Sequence, residues 1–170
     1  MVTDKLKVAI TNEQKEYKIP SGIRLLIRRC CHAVLQAEQM RGHFEVSVSF
    51  VDDERILELN SQFRGKDLAT DVLSFPSGTD GNFPVDNDSG AALLGDIALS
   101  IPHVYNQAEQ YGHDIRREFA YLTVHAMLHL LGYDHEGNGI DRVRMREKEE
   151  DILNRLGLAR GASYVHPQGR

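Results

Sequence analysis

Three histidines in the stretch HAMLHLLGYDH, residues 125–135, are the side chains best suited to chemistry. His125 and His129 are four positions apart, and residues at that spacing lie one above the other on a helix. His135 follows Gly132, a residue type that readily ends a helix and lets the chain turn back. Three neutral imidazoles on one side of a metal ion leave a position open for water or substrate, as in catalytic zinc sites. The spacing therefore predicts a metal site made by His125, His129 and His135.

The alternative is that the three histidines bind no metal and only form hydrogen bonds at the end of a core helix. Even if they bind a metal, its identity stays open, because three imidazoles suit zinc, nickel and copper.

The residue after the first histidine separates this stretch from zinc peptidases. The order H-x-x-x-H-x-x-G-x-x-H matches the metzincin peptidase pattern, but those enzymes carry a glutamate where this chain has Ala126. That glutamate accepts a proton from water during peptide hydrolysis, and alanine cannot. Asp134 or Glu136 could substitute, although one could equally orient an imidazole and the other face water. The pattern therefore disfavours a peptide substrate.

The positions of apolar and turn-forming residues predict the elements that must hold these histidines. Alternation predicts strands at 6–10, 44–51, 71–75 and 93–101. Caps and helical spacing predict five helices: one from the N-cap Ser21 to about Met40 and ended by Gly42, one from Asp52 and Asp53 to Gly65, one from Pro102 to Tyr111, one from Asp114 to Leu131, and one over 140–156. Residues 77–92 have the composition of a loop. The order of elements predicts one α+β domain over 1–162, followed by a flexible tail at 163–170.

Composition limits the class of protein. The chain has 170 residues and a net charge of −5, which fits one globular domain and disfavours a general nucleic-acid coat protein. The first residues lack the pattern of a signal peptide, and no apolar run approaches the roughly 18 residues of a membrane span. Cys30 and Cys31 are neighbours and are expected to be reduced and structural. We therefore expect a cytoplasmic protein.

Residues 125–135 resemble the signature H-G-x-L-H-L-x-G-Y-D-H of the YbeY family of bacterial single-strand-specific endoribonucleases and rRNA maturation factors. The one departure is Ala126, where the family has glycine. A second block, LNSQFRGKDLATDVLSFP at 59–76, and the strand around 95–97 are similar to other parts of the family pattern. These blocks occur in the family's order and cover most of residues 45–136.

The resemblance implies a mixed four-stranded sheet packed with helices and one zinc ion per chain, bound by His125, His129 and His135. It also implies that Arg64 is the functional arginine. The implied activity is cleavage of single-stranded RNA in rRNA processing, notably at the 3′ end of the small-subunit rRNA, and in ribosome quality control. The implied partners are rRNA, ribosomal proteins of the small subunit and an assembly GTPase, with no membrane.

The chemistry of arginine agrees with a role for Arg64. Its forked, permanently charged guanidinium suits the charge that develops on a phosphate during cleavage. Lys66 could hold a neighbouring phosphate, while Asp71 and Asp96 could brace the site. A carboxylate at position 126 would repel the substrate's phosphates. The alternative for Arg64 is an exposed helix-end arginine that only interacts with the helix dipole.

Two rival functions remain open from the sequence. One is a ribosome-assembly factor in which zinc only stabilises the fold. The other is a metal-dependent hydrolase of peptides or small molecules that uses Asp134 or Glu136 as its base.

Overall fold

Four strands and five helices follow one another in the computed structural model, which describes residues 4–79, 81–134 and 139–158. Their order is β1 (Lys5–Asn12), α1 (Ile23–Ala37), β2 (His43–Val51), α2 (Asp53–Arg64), β3 (Val72–Pro76), β4 (Ala92–Ser100), α3 (Ile101–Tyr111), α4 (Ile115–Leu130) and α5 (Gly139–Arg155). The expected α+β class is confirmed. The predicted tail at 163–170 lies outside the described residues.

The four strands form one mixed sheet in the order β1-β2-β4-β3. β1 pairs with β2 and β2 with β4 in parallel, whereas β3 pairs with β4 antiparallel. A parallel pair needs a crossover connection, and α1 supplies it between β1 and β2. β1 and β3 are therefore the two edges of the sheet.

Apolar side chains point to both faces of the sheet, and helices cover them on each face. The main core lies between the sheet and helices α1, α4 and α5, and Phe50 meets Phe119 of α4 edge to face at a ring-centroid distance of 6.0 Å. A separate small cluster lies under α2 and consists of Val51, Ile56, Leu73 and Ala98. Each large apolar side chain that is fully buried stabilises the fold by about 1.5–3 kcal/mol. Because α4 is buried along most of its length, its position is fixed by the main core.

Side-chain caps begin α2 and α4 where the sequence predicts them. The Asp52 carboxylate accepts a hydrogen bond from the Arg55 backbone N–H at 2.8 Å, and Asp114 accepts one from Arg116 at 2.8 Å. Gly65, at φ 66°, ends α2 in the left-handed conformation. These caps satisfy backbone groups that the ends of a helix otherwise leave without partners.

The predicted ends of α1 are wrong. Gly22, at φ 85°, occupies the N-cap position and has no side chain that could cap the helix, and a turn brings the Ile23 N–H to the Pro20 carbonyl at 3.3 Å. Ser21 is therefore one residue too early to cap the helix. At the other end, Gln39 adopts φ 56° and the Met40 N–H reaches the Leu35 carbonyl at 2.9 Å. This closing turn ends the helix at Ala37, before Met40 and Gly42.

Cys30 and Cys31 are free thiols on the buried face of α1. Burial raises the pKa of the Cys30 thiol to about 12 and the pKa of the Cys31 thiol further still. Both side chains are therefore neutral at physiological pH and pack as small apolar groups. None of the described helices is long and apolar enough to cross a membrane.

Gly95 lets β4 approach both β3 and α4 closely. Its φ of 142° lies in a region that L residues rarely adopt. A Cβ atom at this position would stand 2.3 Å from the Phe75 carbonyl oxygen and 2.9 Å from a methyl carbon of Leu130. The backbone of β3 and a side chain of α4 would both have to move.

Gly95→Ala is therefore expected to lower the free energy of unfolding by roughly 2–4 kcal/mol, because overpacking and backbone strain add. Guanidinium denaturation monitored by circular dichroism measures the change. Gly139→Ala is the matched control, since a Cβ there meets nothing within 4 Å. Equal stability of the two variants would contradict the close approach.

Candidate functional site

α4 presents His125 and His129 side by side near its C-terminal end. The two Nε2 atoms lie 3.2 Å apart, and the rings stand at 76° to each other. Two nitrogens bound to one tetrahedral zinc ion lie about 3.3 Å apart, given the usual zinc–nitrogen bond length. The same separation also allows a hydrogen bond between the imidazoles. The geometry of this pair fits a shared metal ion.

Glu149 of α5 contacts His125 on the ring nitrogen that does not face His129. Its Oε2 atom contacts Nδ1 of His125, and Glu149 is only 4% exposed. A carboxylate on Nδ1 keeps the proton on that nitrogen and directs the Nε2 lone pair towards His129, as in the carboxylate–histidine–metal arrangement of many zinc sites. Sequence reasoning missed Glu149. The available signal was a carboxylate on the buried face of α5, beside Met145 and Ile152.

The chain turns at Gly132 as the sequence predicts. The Gly132 N–H donates to the His129 carbonyl at 3.0 Å, and the Tyr133 N–H donates to the Leu128 carbonyl at 3.0 Å. Gly132 itself adopts φ 106°. His135 and Glu136 lie outside the described residues, and within the described ranges no group of three or more potential ligands occurs. The ligand set of His125, His129 and His135 therefore stays a prediction.

A cleft of about 470 Å³ opens between α4, β3 and the end of α2. It brings together side chains that are far apart in sequence: Arg64, Lys66, Asp71, His125, His129 and Asp134 all line it. Asp96, by contrast, is not among the lining residues. Asp71 accepts a hydrogen bond from the Val72 N–H at 2.7 Å, so this carboxylate braces the start of β3.

Arg64 is held over β3. Its Nη2 atom donates to the Ser74 carbonyl at 2.9 Å. This bond uses one of the five N–H donors of the guanidinium and fixes its direction. The side chain thus lines the same cleft as the histidines, which a purely solvated helix-end arginine would not need to do.

Ala126 lies between the two histidines but is only 1% exposed. It belongs to the main core and also lines the cleft. The cleft consequently has no carboxylate at the position that zinc peptidases use for their base.

A serine, a histidine and an aspartate also meet outside the cleft. The Ser100 hydroxyl donates to Asp53 Oδ1 at 2.6 Å, and His103 Nδ1 lies 2.6 Å from the same oxygen. A serine nucleophile must be accessible and hydrogen-bonded to a base. Ser100 is fully buried and caps α3, so this trio links the starts of α2 and α3 and is structural.

The mixed sheet, the histidine-bearing helix and the opposing arginine define a single-domain α+β protein in which one cleft holds both a histidine pair and an arginine. The chain belongs to the Endoribonuclease YbeY family, whose model matches residues 9–157. It is 46% identical over 160 residues to the Endoribonuclease YbeY of Caldanaerobacter subterraneus subsp. tengcongensis, covering 91% of this chain and 100% of that protein. It is 50% identical over 149 residues to the Endoribonuclease YbeY of Chloroflexus aurantiacus, covering 85% and 96% of the two chains.

A solved structure has the same fold. The solution structure of a protein from Thermotoga maritima superimposes with a TM-score of 0.53 at 25% sequence identity, covering 96% of this chain and 99% of that one. The family resemblance and the fold class read from the sequence are both confirmed.

Proposed function

We propose that this protein is a zinc-dependent endoribonuclease that cuts single-stranded RNA in rRNA processing. The observation that carries the proposal is the cleft in which Arg64 shares one space with the His125–His129 pair. The relatives are named as endoribonucleases, which supports a hydrolase that acts on RNA phosphodiester bonds.

One zinc ion per chain would be held by His125, His129 and His135, with Glu149 orienting the first imidazole. When bound, zinc supplies Lewis-acid polarisation of an oxygen atom. Arg64, held in place by the Ser74 carbonyl, donates charge-assisted hydrogen bonds to the non-bridging oxygens of the scissile phosphate. These bonds strengthen as negative charge grows on the phosphate, and they therefore favour the transition state.

Two further residues fit an RNA substrate. Lys66 lines the same cleft and is suited to hold a neighbouring phosphate. The buried methyl group of Ala126 adds no negative charge to the floor of the cleft. A peptidase would instead need Asp134 or Glu136 as its base.

The proposed biological role is maturation of the 3′ end of small-subunit rRNA, together with ribosome quality control, in the cytoplasm. The family resemblance supports this role. The net charge of −5 also supports target selection with the help of ribosomal small-subunit proteins and an assembly GTPase, since the chain has little general attraction for nucleic acid.

The test is cleavage of an rRNA fragment that carries a single-stranded 3′ extension. The metal-loaded protein is expected to cut the extension and to spare it once a complementary strand is annealed. Chelation should abolish cutting and added zinc should restore it, with zinc content determined on every sample. Cutting that survives complete metal removal would contradict the proposal. A zinc-bound protein that cuts no RNA would favour the assembly-factor alternative, and cleavage of a peptide panel would favour the hydrolase alternative.

A further inference from the structure

A second groove, of about 750 Å³, lies along the β1 edge of the sheet. The basic residues that line it are Lys7, Arg28, Arg29, His32 and Arg155, and we call it the basic groove. No aspartate or glutamate is among the described residues that line it. The whole chain has 25 acidic and 20 basic residues, so this concentration of positive charge runs against the overall composition.

The amphipathic pattern of α1 builds one side of the basic groove. Ile27 and Cys30 are buried in the main core, whereas Arg28, Arg29 and His32 are exposed on the outer face of the helix. Arg28 and His32 are four residues apart and therefore lie one above the other. Neither Arg28 nor Arg29 forms a salt bridge with any residue in the described part of the chain.

Arg155 closes the basic groove from the end of α5. It pairs with Asp151 at 3.0 Å, but both side chains are 58% exposed. An exposed pair of this kind contributes little free energy, so a phosphate can replace the carboxylate at small cost. The neighbours Leu6 and Val8 pack into the main core or against it, so the side chain of Lys7 lies on the opposite face of β1. There its charge acts on Asp86, and the arginines therefore supply most of the positive charge of the basic groove.

The basic groove and the catalytic cleft lie towards opposite edges of the sheet. The cleft is lined by β3 and the basic groove by β1, with β2 and β4 between them. Three inter-strand spacings amount to about 14 Å. A stacked strand advances about 3.4 Å per nucleotide, so this distance takes just over four steps, or about five nucleotides, and an RNA of about four nucleotides falls short of it.

We propose that the basic groove binds the phosphate backbone of single-stranded RNA away from the bond that is cut. The identity of the polyanion as RNA rests on the proposed function. Guanidinium groups pair with phosphate oxygens through two parallel hydrogen bonds, and three arginines line this one groove.

The test compares RNA binding by two double variants, both made in an Arg64→Ala background and measured after metal removal, so that cleavage of the probe is suppressed twice. The first variant is Arg28→Ala with Arg29→Ala. The control is Lys15→Ala with Arg55→Ala, which removes the same charge from exposed residues that do not line the basic groove. Fluorescence anisotropy gives the Kd for single-stranded RNAs of about 4 and about 20 nucleotides, lengths that bracket common single-strand site sizes. Circular dichroism checks that both variants fold.

The groove variant is expected to bind the long RNA roughly 10-fold more weakly and the short RNA with unchanged affinity. The slope of log Kd against log salt should fall by about 1.4 for the long RNA, because two phosphate contacts are lost. The proposal would be overturned if affinity fell equally for both RNA lengths, or if the control variant lost as much affinity as the groove variant. So would tighter binding of an acidic peptide than of RNA. Because binding is measured without cleavage, a failure of the proposed catalytic function leaves this result readable.

Discussion

Replacing Arg64 with alanine is expected to slow RNA cleavage by roughly 100- to 1000-fold, the usual cost of removing one preorganised donor from a developing negative charge. The zinc content should not change, because Arg64 contacts the Ser74 carbonyl on β3 and not a histidine. The loss should fall on the rate constant at saturating RNA, since the guanidinium acts on charge that grows in the transition state.

Single-turnover cleavage of the 3′-extended rRNA fragment measures this effect. Arg64→Lys tests the forked geometry, because an ammonium keeps the charge but cannot form two parallel bonds, and only partial recovery is expected. Arg55→Ala, in the first turn of the same helix, is the charge-matched control and should cut normally. Wild-type rates for Arg64→Ala would show either that the nuclease activity comes from a contaminant or that the arginine plays no part.

Replacing Glu149 with glutamine is expected to weaken zinc binding by about 10- to 100-fold, the usual cost of changing the hydrogen-bond partner of a metal-binding histidine. The amide has the shape of the carboxylate but no charge, so it holds the Nδ1 proton of His125 less firmly. The imidazole then becomes a weaker ligand and its orientation is less fixed.

Competition with a chromophoric zinc chelator gives the affinity directly, without reference to activity. Glu147→Gln is the control, since Glu147 is exposed on the same helix two residues earlier. The free energy of unfolding of the zinc-free variants is measured as well, because it separates a loss of metal affinity from a general loss of stability. If Glu149→Gln and wild type compete equally with the chelator, the carboxylate has only a structural role in packing α5.

The elements that the sequence predicts well are those set by local chemistry. Asp52 and Asp114 cap the helices that directly follow them, and Gly132 turns the chain where a helix must end. The i, i+4 spacing alone predicts that His125 and His129 share a face. The C-terminal end of α1 was predicted wrongly, because Gln39 takes a left-handed conformation that is usually expected of glycine.

The sequence patterns did not predict contacts between segments that are distant along the chain. Glu149 is 24 residues from His125, and no periodicity specifies that α5 packs so that these two side chains meet. The bond from Arg64 to Ser74 likewise depends on how α2 lies over β3. The family resemblance indicated Arg64, but it did not indicate the basic groove, which requires α1, β1 and α5 to be placed together.

The two walls of the cleft between α4, β3 and the end of α2 differ in how much buried apolar packing supports them. α4 is held by the main core, whereas α2 and β3 rest on the small cluster of four buried side chains, and β3 is a five-residue strand at the edge of the sheet. Segments with few buried apolar contacts open at lower free energy than the core. The wall that carries the histidines is therefore expected to stay fixed, while the wall that carries Arg64 opens locally at a lower free energy, so the width of the cleft is set by the less stable wall.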